Sequence, residues 1–89
     1  MNLNQALGMA LRELRISNGL SQETLGLSQT FISDVERGKK SLTIGKLEEL
    51  CATLGIDPAV LVIRASLIKS PNQTADQFLE AIRHQLDNT

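Results

Sequence analysis

The sequence predicts an all-α fold, a compact bundle of about five or six helices, on three observations. Hydrophobic residues make up 42% of the 89 residues but aromatics only 2%, so the core must be built from Leu, Ile, Val and Ala, which interdigitate well between helices. Apolar residues recur at three- and four-residue spacing through most of the chain. Capping residues precede these stretches, and glycine or proline follows most of them. A chain of this length supports one core, so any function belongs to a single compact unit and its surface.

Leu3, Leu7, Ala10, Leu11 and Leu14 fall on one face of a first helix, about 4–18, which Gly19 stops. Ser21 is placed to cap a very short second helix, about 21–26, with Glu23 near the positive end of its dipole. Ser28 caps a third helix, about 28–37, that separates into two faces. Phe31, Ile32 and Val35 lie on one side, and Gln29, Thr30, Ser33, Asp34 and Arg37 on the other. This helix ends at Gly38 and runs into the basic loop Lys39-Lys40-Ser41. Thr43 caps a fourth helix with the expected buried stripe Ile44, Leu47, Leu50, Cys51 and Leu54, stopped by Gly55.

Asp57-Pro58 then supplies a cap and a first-turn proline for a fifth helix, about 58–68. Val60, Leu61, Val62, Ile63, Leu67 and Ile68 surround nearly its whole circumference, more than one small core can cover. After Ser70-Pro71-Asn72, the run Thr74-Ala75-Asp76-Gln77 has the capping-box pattern that opens a last helix. Ala75, Leu79, Ile82 and Leu86 form a narrow seam on it, with Phe78 alongside, at a spacing suited to helix pairing. The expectation is a unit at 1–69 and an amphipathic extension at 70–89 for packing or dimerisation. Leu61, Ile63, Leu67, Phe78, Leu79, Ile82 and Leu86 are the expected dimer contacts, with packing inside the same chain as the alternative.

Composition removes several function classes. One cysteine, Cys51, makes neither a disulfide nor a multi-cysteine metal site, and on a buried stripe it reads as a packed small hydrophobe. One histidine, His84, opposite the last seam, makes no metal site, and no nucleophile–base or paired-carboxylate arrangement is present. Neither an enzyme nor a cofactor is expected. No basic leader precedes an apolar stretch, and no apolar run approaches the roughly 20 residues of a membrane span, so a soluble cytoplasmic chain is expected. The net charge of −1 is unusual for a binder of polyanions, but it is unevenly placed. Residues 1–46 hold six basic against four acidic side chains, and residues 47–89 three against six.

The run Leu20-Ser21-Gln22-Glu23, the run from Leu27 to Lys39 and the run from Leu47 to Ile56 together resemble the Cro/cI-type, or XRE-type, helix-turn-helix family. The resemblance covers about residues 5–62. It implies a lambda-repressor-like DNA-binding domain, with the third helix entering the major groove. Gln29, Thr30, Ser33 and Asp34 then stand where the family contacts base edges, glutamine being able to pair bidentately with adenine. Gln22, Ser28, Phe31, Arg37, Lys39, Lys40 and Ser41 stand where phosphates are held. Arg15 and Glu36 occupy positions that form an ion pair beneath the motif in several phage repressors. Between Gln22 and Glu36 the chain is about four residues shorter than the family pattern, close to one helical turn, so the helical faces stay nearly in phase.

The resemblance implies a bacterial or prophage transcription regulator, foremost a repressor, with double-stranded DNA and a second copy of itself as partners. It would be associated with the nucleoid when bound. A different class of function, an antitoxin or helical interaction module whose last two helices hold a toxin or other protein, fits the same apolar fifth helix. Direct DNA binding separates these from a helical adaptor that has lost its DNA.

Overall fold

The computed structural model describes residues 1–89 and contains helices only. They are α1 (Leu3–Ser17), a 3₁₀ turn (Gln22–Leu25), α2 (Gln29–Glu36), α3 (Ile44–Leu54), α4 (Pro58–Lys69) and α5 (Ala75–Asp87). The all-α bundle expected from composition and periodicity is what forms, and the shortened second helix is a four-residue 3₁₀ turn. α1 is the central strut, packed on α4 and on α2, while α3 rests against α4 and the 3₁₀ turn. The core joins Ala6, Leu7, Ala10 and Leu11 to Leu25, Ile32, Val35, Leu50, Cys51, Leu61 and Ala65.

Local chemistry sets most boundaries. Ser28, Thr43, Asp57 and Thr74 each accept a bond from a free first-turn amide of the helix that follows. Thr74 and Gln77 complete a reciprocal capping box, and Asn2 with Gln5 makes a second one at the start of α1. Gly38, at φ 75°, turns the chain after α2 so that the amides of Lys39 and Lys40 bond back to the Asp34 carbonyl. The basic loop is thereby tied to α2.

Three expectations change. Ser21 makes no side-chain cap, because the tight 3₁₀ turn brings the Thr24 amide and hydroxyl onto the Ser21 carbonyl instead. Ile44 is 85% exposed rather than part of a buried stripe, while Leu42, just ahead of the helix, packs against the core. Leu61 is fully buried against α1 and is a core residue, not a dimer contact. The last seam is only partly covered within the chain: Phe78 and Ile82 are part-buried, Leu79 and Leu86 exposed, and α5 has no buried residue. The molecule measures 40 × 23 × 23 Å.

Cys51 is buried as expected, and its thiol is pushed up from its ordinary pKa by burial and, secondarily, by the charge of Asp57. No single helix is long and apolar enough to cross a membrane.

Candidate nucleic-acid interface

α2 is held from behind so that one face stays open. Ile32 and Val35 are sunk in the core and Phe31 is half-buried at its edge. On the other side Gln29 and Thr30 are exposed and Ser33 and Asp34 half-exposed. With Ser28 capping the helix at 3.1 Å from the Phe31 amide, the side chains of the first turn project from a fixed end. Gln29 and Thr30 are polar and of modest size, so they leave the first turn of α2 sterically open.

A buried ionic network fixes how that helix sits. Arg15 reaches from α1 to Glu36 at the end of α2 with two parallel bonds, Nε to Oε2 at 2.7 Å and Nη2 to Oε1 at 2.9 Å, and its Nη1 donates to the Leu20 carbonyl at 2.9 Å. The Glu36 side chain is only 3% exposed and that of Arg15 12%. Gln22 also donates its amide to Glu36 Oε1, at 3.1 Å. The network therefore ties α1, the 3₁₀ turn and α2 together around one carboxylate. The hydrogen bond to Glu36 holds the Arg15 guanidinium above its ordinary range, with burial opposing and the charge of Glu36 adding to the rise. In this free state one N–H of the Gln22 amide is engaged and the other is available.

Asp34, expected on the base-reading face, is instead turned to its neighbours: its carboxylate takes Arg37 at 3.0 Å and Lys40 at 3.8 Å. The Lys40 ammonium also lies over the Phe31 ring, 5.8 Å from its centre. Arg37, Lys39, Lys40 and Ser41 are all exposed at the C-terminal end of α2 and in the loop beyond. Arg12 borders one groove with Arg37 without being marked by any motif. Its spacing of one helical turn from Arg15 is the only signal of it in the sequence.

Residues 11–61 match the model of the Helix-turn-helix family, HTH_3. Among curated proteins the chain is similar to the control protein C.BamHI of Bacillus amyloliquefaciens, 33% identical over 66 residues, which cover 68% of this chain and 82% of that one. Among solved structures it is similar to the restriction-modification controller protein C.AhdI of Aeromonas hydrophila, with 39% identity and a TM-score of 0.62, covering 64% of this chain and 92% of that one. The clp gene regulator ClgR of Corynebacterium glutamicum superposes over 99% of this chain and 89% of its own, with 28% identity and a TM-score of 0.69.

Proposed function

The chain belongs to the helix-turn-helix family, and from that premise we propose that it is a sequence-specific transcriptional regulator, a repressor that occupies a palindromic DNA operator as a homodimer. The observation that carries this reading is the α2 face, whose exposed Gln29 and Thr30 stand opposite a fully buried Ile32 and Val35 on a helix locked from beneath by Arg15 and Glu36. Gln29, Thr30 and Ser33 read base edges. Ser28, Phe31, Lys39, Lys40 and Ser41, with Gln22 and Arg37 on the flank, hold the phosphates. Asp34 orients Arg37 and Lys40 beside them. Occupancy of an operator excludes polymerase without any reaction, and the family is a class of regulators rather than enzymes. The antitoxin alternative draws no support from relatives named as control proteins and gene regulators.

Selection of bound sequences from a random duplex pool tests the proposal. The expected product is a palindrome with half-sites about one turn, roughly 10 bp, apart, bound with affinity that falls steeply as salt rises. On that site Gln29→Ala weakens binding by about 1–3 kcal/mol and relaxes the preference at particular base pairs. Lys39→Ala weakens all sequences alike and flattens the salt slope. No enrichment at low salt by folded protein sinks the reading. An equal loss for every operator variant on Gln29→Ala refutes the assignment of that residue alone.

For the dimer we assign the outer face of α4, at Ile63 and Leu67, and the seam of α5, at Phe78, Leu79, Ile82 and Leu86. Leu79 is 46% exposed and Leu86 70%, and the one-sided apolar pattern of α5 includes no buried residue. A two-fold axis through these helices sets both recognition helices on one side, as a palindrome requires. Since α5 carries no core residue, Leu79→Glu with Ile82→Glu should leave the circular dichroism spectrum of the body unchanged. It should dissociate the dimer in sedimentation and lower operator affinity more than about tenfold. A wild-type chain that sediments as a monomer at micromolar concentration, on and off DNA, removes the assignment.

A further inference from the structure

The structure assigns a phosphate-binding notch to the groove between α1 and α2, completed by Arg12. The assignment rests on the DNA-binding reading above and adds to it a backbone contact made from α1. Arg12, Arg15, Gln22, Ser33, Glu36 and Arg37 line a cavity of about 210 Å³ with no hydrophobic side chain among them. At roughly 30 Å³ per water, that is room for one phosphate group and part of its hydration.

Charge selects an anion. Three guanidinium groups border the notch against one carboxylate, and that carboxylate, Glu36, is already occupied by Arg15 and Gln22. Four of the five arginines, Arg15, Arg37, Arg64 and Arg83, have a carboxylate partner, and Arg12 has none. An unpaired guanidinium beside two others is costly unless solvent or an anion compensates it, and its fork of donors suits phosphate oxygens.

Position selects the kind of phosphate. Ser33 belongs both to the notch and to the open side of α2, so a duplex whose groove receives Gln29 and Thr30 passes its sugar-phosphate edge over the notch. The ligand is a backbone phosphodiester of bound DNA. Arg12 meets it from α1, while Gln22 offers its free amide N–H from the 3₁₀ turn.

Arg12 is exposed and has no carboxylate partner, so its substitution should leave the fold intact. Arg12→Gln should weaken binding about three- to tenfold, by the same factor on the selected operator and on random duplex, and reduce the slope of log affinity against log salt by about 0.9. Arg12→Lys, which keeps the charge, should retain the slope. A wild-type slope in Arg12→Gln overturns the notch, as does a loss confined to particular operator variants. If the wild-type chain binds no duplex, the regulator reading fails. The notch is then decided by inorganic phosphate titrated into the free protein and followed by NMR at the Ser33 amide and Arg12 Nε. Saturable shifts that vanish in Arg12→Gln make it a site for the free ion, and unmoved signals abolish it.

Discussion

Arg15→Ala should destabilise the protein by about 3–5 kcal/mol in urea unfolding at neutral pH, because it strands a carboxylate that has almost no access to water. The Glu36 side chain, 3% exposed, loses both guanidinium bonds and keeps only the Gln22 amide, and the Leu20 carbonyl loses its donor as well. An 89-residue domain typically holds only about 4–13 kcal/mol in total, so a large share of the stability is removed at one position. Replacing both partners, Arg15→Met with Glu36→Met, should recover most of the loss, since no charge is then left buried. The pair's value would lie in orientation more than in net stability, and the double variant should therefore bind DNA less well than its stability suggests. A loss below about 1 kcal/mol for Arg15→Ala would show that the pair behaves as a surface ion pair.

Gly8→Ala is the second large effect, and helix propensity alone predicts the wrong sign. In the middle of a free helix the change stabilises by about 1 kcal/mol. Here Gly8 is buried where α1 crosses α2, and a Cβ would run into the Val35 carbonyl oxygen, with the Val35 carbonyl carbon at 3.1 Å and the Glu36 Cα at 3.3 Å. All three are backbone atoms, so no side chain can swing aside. The helices must separate, at a net cost of about 2–4 kcal/mol after the helix gain is subtracted. Separation also lengthens the reach from Arg15 to Glu36, so the two losses are coupled rather than additive. Thermal unfolding measures the effect, an expected drop of about 10–20 °C. An unchanged or raised midpoint would mean that the two helices do not cross this closely.

Gly8 illustrates what a linear sequence hides. Nothing in its neighbourhood distinguishes it from a tolerated helix glycine, because its need for a missing side chain comes from α2, nearly thirty residues away. Arg12 is of the same kind, an ordinary surface arginine until α2 brings Ser33 and Arg37 to it. Gln22 and Asp34 carry side chains whose partners, Glu36 for one and Arg37 with Lys40 for the other, are set by how the 3₁₀ turn and the loop fold back on α2.

By itself the sequence determined the helices and the two sides of α2. Caps such as Ser28 and Thr74, stops such as Gly38 and the 3.6-residue alternation of Ile32 and Val35 with Gln29 and Thr30 act within a turn or two, so they are legible in any window of that length. Tertiary structure decided which side of an apolar helix is inside. α4 has hydrophobic residues nearly all round, and its own pattern cannot tell Leu61 from Ile63. Only the positions of α1 and α3 against it bury Leu61 completely and leave Ile63 half-open. Likewise Ile44 has the spacing of a core residue, but no other segment covers it and it stands 85% exposed. Burial is a property of the neighbours a helix meets, and those are supplied by segments far along the chain.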